Sequence, residues 1–239
     1  MNTRPRFITA LVAAGALFIG SSTVAQQRPT LQSLQDQVNN TYTKQQVDDI
    51  VAKIVPAAVP RTGQTLCYDA SGNQINCPGT GQDGDKLAGV APPVPRFVDN
   101  GNGTVTDKLT GLIWLKNANC FGQRNWRTAL NDANTLKGDN TQCGLTDGST
   151  AGQWRLPNVK ELQSLINFGF SNPALSNAVG DAKWTQGNAF SGVQSSNYWS
   201  SSSLVGNPDY AWLVSLFTGS VGGSGKSNTD YVWPVRGGQ

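Results

Sequence analysis

Trp154-Arg155-Leu156-Pro157-Asn158-Val159-Lys160-Glu161-Leu162 is the stretch on which the fold turns. Asn158 with Glu161 three residues on has the spacing of a capping box, in which each side chain takes a backbone N–H at the other end of the first helical turn. The spacing predicts a helix from Asn158 that turns Val159, Leu162, Leu165 and Ile166 inward. Glu161 is the one glutamate in the chain. The reciprocal cap accounts for its position, so it is not read as a catalytic acid. Arg155, beside Trp154 at the helix entrance, is read as a brace for a loop or an interior carboxylate, and as a candidate contact for a ligand.

Working outward, Phe97-Val98 and Thr104-Val105-Thr106 flank Asp99-Asn100-Gly101-Asn102-Gly103 as a hairpin, and Leu112 to Leu115 reads as a short buried strand. Asn125 can cap a helix carrying Trp126, Ala129, Leu130, Ala133 and Leu136 on one face. Beyond Phe170 strands and long loops are expected: Tyr198-Trp199-Ser200, then Tyr210 to Phe217, a Gly/Ser turn around Gly222-Gly223, and Tyr231 to Val235. Two helices followed by a strand-rich half predict an α+β domain over 96–239. All seven tryptophans fall in that stretch, so large aromatics are expected to build its core.

The rest of the chain differs. Residues 1–25 have the three parts of a secretory signal: Arg4 and Arg6, an apolar run from Phe7 to Gly20, and the small-residue triplet Thr23-Val24-Ala25. Cleavage after Ala25 is expected, leaving an exported protein in the periplasm, on the cell surface or outside the cell, with no membrane span. Residues 26–60 contain no Gly, Trp or Cys. Leu31, Leu34 and Val38, then Val47, Ile50, Val51 and Ile54, keep three-four spacings that fit two short amphipathic helices or one interrupted coiled coil. Residues 61–95 hold Cys67 and Cys77 around a Ser71-Gly72-Asn73 turn, followed by a Gly/Pro-rich loop. Four cysteines in an exported chain read as two disulfides; three pairings are possible, and local spacing favours Cys67–Cys77 and Cys120–Cys143.

The Trp154-Arg155-Leu156-Pro157 helix start, together with Gly103-Thr-Val-Thr-Asp107, Thr110-Gly-Leu-Ile-Trp114, Tyr198-Trp-Ser-Ser-Ser202 and Val232-Trp-Pro-Val-Arg-Gly-Gly238, resembles the Lcl C-terminal domain family, named after the C-terminal region of a bacterial collagen-like adhesin. The pieces follow the family's order across essentially all of 96–239, and the Cys67 hairpin resembles a region that often precedes this domain. The resemblance implies a C-type lectin-like fold with two helices and a small, loop-rich antiparallel sheet. Tyr42-Thr-Lys-Gln-Gln-Val-Asp-Asp-Ile-Val-Ala52 resembles stalk segments of trimeric fibre and adhesin proteins, which implies a self-associating helical stem and a homo-oligomer, a trimer. The other reading of that stretch is a linker with some helicity.

Function is expected to be binding rather than catalysis. The chain has no histidine, so Ser-His and Cys-His nucleophile pairs are excluded. The helix start and the closing Val235-Arg-Gly-Gly238 also resemble formylglycine-generating enzymes, but their late cysteine pair has no counterpart after Cys143. No enzyme activity, cofactor or metal is expected. Asp99 to Gly103 fails the register of a calcium loop and reads as a turn. Asn207, Asp209, Asn228 and Asp230 offer hard oxygen ligands and resemble the set used by calcium-dependent lectins, although Asn207 lies before the Tyr210 strand instead of after a tryptophan-bearing one. The chain's excess of 18 basic over 15 acidic residues argues for no nucleic-acid partner. The family resemblance implies a polyanionic or neutral glycan as ligand. Trp184, Asn188, Asn197 and Tyr210, with Arg155, are the candidate contacts. The alternative is an assembly domain of a surface or fibre-like complex, whose loops meet a surface protein.

Overall fold

The capping box forms as its spacing predicts. In the computed structural model, which describes residues 59–237, Asn158 Oδ1 accepts from the Lys160 and Glu161 amides at 2.9 Å, and Glu161 Oε2 accepts from the Asn158 amide at 2.8 Å. The helix it starts spans Val159–Gln163 and buries Leu162, with Leu165 and Ile166 buried just beyond its end; Val159 is half-buried. The other long-expected helix runs Trp126–Thr135, with Asn125 Oδ1 accepting from the Thr128 amide at 3.0 Å. Its Ala129 and Ala133 pack against Trp199, Ala211, Leu213, Leu156 and Val232. A single helical turn, Asp83–Lys86, interrupts the stretch expected to be loop. In chain order these helices are α1 (Asp83–Lys86), α2 (Trp126–Thr135) and α3 (Val159–Gln163).

The strands form two larger sheets and one hairpin, not the single small sheet expected. Cys67–Tyr68 (β1) and Gln74–Ile75 (β2) make the hairpin, closed by the Cys67–Cys77 disulfide. The four-stranded sheet takes Phe97–Asp99 (β3), Thr104–Asp107 (β4), Leu112–Leu115 (β5) and Val235–Gly237 (β11) in the order β11-β5-β4-β3, all antiparallel. The five-stranded sheet takes Gln123–Asn125 (β6), Asn197–Ser203 (β7), Tyr210–Ser215 (β8), Val221–Gly225 (β9) and Thr229–Tyr231 (β10) in the order β6-β10-β7-β8-β9. Only β10 and β7 run parallel within it. The result is α+β with few helices and mostly antiparallel sheet.

Two expectations are corrected. Gly222-Gly223 is not a turn but the middle of edge strand β9, in register with Leu213 and Trp212 of β8. The turn falls earlier, where the Gly219 amide donates to Ser215 O at 2.8 Å and Gly219 holds a left-handed φ of 84°. Glycine weakens a strand by its backbone entropy, but β8 supplies a ladder on which the glycine backbone pairs at every position. Tyr231 to Val235 is not one strand either. Pro234 has no N–H to donate to a ladder, and the chain crosses there from β10 in one sheet to β11 in the other.

The crossing carries Trp233 into the centre of the core. Its ring lies 5.6 Å from Trp114, 5.0 Å from Phe190 and 5.5 Å from Tyr198, and Phe190 in turn lies 4.9 Å from Phe97. Trp114, Trp154, Trp199 and Trp233 are fully buried, and the edge-to-face pairs Trp114–Trp233, Phe190–Trp233 and Phe97–Phe190 add about 0.5–1.5 kcal/mol each beyond area burial. A buried ion pair joins the β3–β4 hairpin to the end of α3: Arg96 donates to Asp107 at 3.0 and 2.8 Å and to Ser164 O at 2.6 Å. Cys120 pairs with Cys143.

The hairpin region is part of the same compact unit, which begins at Val59. Arg61 N donates to Val90 O at 3.0 Å and Phe168 N to Thr62 O at 2.8 Å. Residues 1–58, which hold the expected signal and nearly all of the expected stem, lie outside the described residues. Among the described residues no helix is long and apolar enough to cross a membrane.

Candidate binding groove

The outward face of α2 forms one wall of an open groove of ≈ 860 Å³. Arg127, Asn131 and Asn134 recur at four- and three-residue spacing, which places them along one side of a helix. Trp126, Leu130, Arg155, Leu156, Ser201 and Lys226 complete the lining. Three of these residues are cations and none is a carboxylate.

Each cation is held differently. The Arg155 guanidinium forks onto Glu161 at 2.7 and 2.6 Å and reaches Gly237 O at 3.2 Å, so the brace expected from the sequence is present. Burial pushes the Glu161 carboxyl up, but hydrogen bonds from Arg155 and the Asn158 amide outweigh it and hold the group below the usual range. The hydrogen bond to Glu161 likewise raises Arg155. Arg127 is exposed and makes no ion pair among the described residues. Lys226 Nζ donates to Ser203 Oγ and Pro208 O, both at 2.8 Å, and sits 4.1 Å from the centroid of the Trp126 ring. The Trp126 indole N–H donates to Ser200 O at 2.8 Å, which fixes the ring against β7. A second cleft of ≈ 540 Å³, lined by Lys137, Gly138, Asp139, Gly148, Ser149, Thr150 and Ala151, has neither an aromatic wall nor a charge excess.

Of the residues expected from the sequence to meet a ligand, only Arg155 lines the groove. Trp184 is 9% exposed, packs in the core and donates its indole N–H to Phe190 O. Asn188 is half-buried and its Oδ1 accepts from the Ala178 amide at 3.0 Å, tying one loop to another. Asn197 and Tyr210 are half-buried, on β7 and β8. Asn197 and Ser224 act to lower the pKa of the Asp230 carboxyl, but burial raises it by more. Asn228 Nδ2 donates to Ser224 Oγ at 3.1 Å. Asn207, Asp209 and Asn228 are exposed, Asp230 is 8% exposed, and no group of three or more His, Cys, Asp or Glu among the described residues is placed to hold a metal ion.

Sequence reasoning missed Trp126, Arg127 and Lys226 as site residues. The apolar stripe of α2 assigns Trp126 to the core and is silent on the opposite side, where the Arg127, Asn131, Asn134 spacing is the one signal of a polar face. Nothing local marks Lys226, whose aromatic partner in the groove, Trp126, lies 100 residues earlier in the chain.

A family model described as the Lcl C-terminal domain matches residues 103–236. No curated protein and no solved structure matches the chain.

Proposed function

We propose that the chain, which belongs to the Lcl C-terminal domain family, is an exported binding and adhesion module that holds an anionic glycan in the α2 groove without transforming it. The family is that of the C-terminal domain of a surface-associated protein. The observation that carries the reading is a groove lined by Arg127, Arg155 and Lys226, the amides Asn131 and Asn134 and the Trp126 ring, with no lining carboxylate. A mixed aromatic, amide and cationic lining is what orients a charged sugar. The chain as a whole has only a slight basic excess, so it is the gathering of cations on one face that supports an anion.

Around this site, the two helices and antiparallel sheets are read as a C-type lectin-like body, displayed on the 26–60 segment as an oligomerising stem that makes a trimer. Binding of the full chain to sulfated oligosaccharides on a glycan array, at about 50 and 200 mM salt, tests the ligand. Retention that weakens with salt is expected; no bound sugar at any salt ends the reading. Sedimentation of the chain with and without 26–60 tests the stem, and an unchanged mass removes it.

A second reading, an assembly domain that meets protein, draws on Phe168 and Phe217, which are 41% and 49% exposed. Phe168 lies against the β8–β9 turn that carries Phe217.

A further inference from the structure

The groove's one aromatic side chain is already covered. Lys226 has three N–H donors: Ser203 Oγ and Pro208 O take two, and the ammonium rests against the Trp126 ring at 4.1 Å. The backbone fixes the arrangement from both sides, since Lys226 N donates to Asp209 O at 2.8 Å and Lys226 O accepts from the Trp126 amide at 3.1 Å. Asn228 N donates to Gly225 O at 2.9 Å and its side chain to Ser224 Oγ, which closes the turn that carries the lysine. No carboxylate pairs with this ammonium among the described residues.

We infer that Lys226 is the specificity-determining residue of the groove, selecting anionic over neutral sugars by occupying the indole face that a neutral ring would stack on. The inference rests on the groove being the glycan site. A neutral pyranose gains its contact with an aromatic by laying apolar C–H groups on a bare π-face, and the cation holds that face. An anionic sugar needs no bare ring; it is drawn to the charge of the ammonium, beside Arg127, which makes no ion pair among the described residues. Covering the ring therefore withdraws the contact from one class of sugar and supplies a charge to the other.

The test uses the full chain and two probes of equal length, oligomers of dextran and of dextran sulfate, titrated by calorimetry. The wild-type chain binds the sulfated probe and not the neutral one. Lys226→Ala weakens the sulfated probe about tenfold and brings measurable binding of neutral dextran. That binding shifts the Trp126 indole N–H resonance, identified by its loss in Trp126→Phe. Lys226→Arg keeps the wild-type preference. Should Lys226→Ala not fold, Lys226→Ser, which also bares the ring, is read in the same two ways. A variant that loses sulfated binding without gaining the neutral probe overturns the inference and leaves Lys226 one cation among three. Unchanged binding of both probes overturns it as well. A wild-type chain that binds neither probe removes the groove reading itself, and this inference with it.

Discussion

Two carboxylates in this domain respond to acid in opposite directions. Glu161 is held below the usual range by Arg155 and the Asn158 amide, against the upward pull of burial. Its contribution is present above the ordinary carboxylate pKa and is lost as pH falls through the depressed value. Glu161→Gln should lower stability by about 1–2 kcal/mol near neutral pH, through the cap and the forked ion pair. Urea midpoints should converge with wild type in acid; a gap that persists there would assign the loss to packing. Asp230 is raised by burial, so its contribution is complete below the ordinary carboxylate pKa and is lost as pH rises through the raised value. Asp230→Asn should therefore raise the thermal midpoint near neutral pH and leave it unchanged in acid. Equal midpoints at both pH values would refute that. The Glu161 box was legible because its partners lie three residues apart. The Asp230 network was not, because Asn197 and Ser224 reach it from separate strands.

At the scale of elements, what could be read from sequence depended on how local the ordering forces are. Both principal helices begin at their predicted caps, Asn125 and Asn158, since a cap and a 3.6-residue stripe are complete within a dozen residues. The sheets needed partners. β9 looks like a turn until β8 lies beside it, and β6, three residues of Gln, Arg and Asn, has no strand signal of its own. The candidate site suffered the same way: α2 was found, but the turn that brings Lys226 to Trp126 belongs to tertiary structure. Close backbone contact also decides how the 60–66 segment is held. A Cβ on Gly169 would sit 2.4 Å from Gly63 O, nearer than any real contact. Gly169→Ala should push the segment off the Phe168 edge at about 1–3 kcal/mol. Trypsin should then cut at Arg61 faster than in wild type, and an unchanged rate would mean that the contact relaxes harmlessly.

In the whole molecule, Trp233 touches aromatic rings from β5, from β7 and from the loop before β7, so the two larger sheets share one aromatic centre. Trp233→Ala should cost about 3–5 kcal/mol, enough to unfold a marginal domain. A native-like circular dichroism melt in that variant would show the two sheets to be independently stable. The Cys120–Cys143 bridge joins residues 23 apart, and opening it should remove about 3 kcal/mol by the chain-entropy account. An identical melt with and without reductant would contradict this. β11, last of the domain's strands in chain order, pairs with β5 and bridges to Arg155, while Trp233 just ahead of it seals the interior. A polypeptide emerging from the ribosome thus has nothing to shut around until almost the entire domain is out. On the export reading proposed above, that late closure keeps the chain open to threading through a secretion pore, with its closing piece arriving last on the far side.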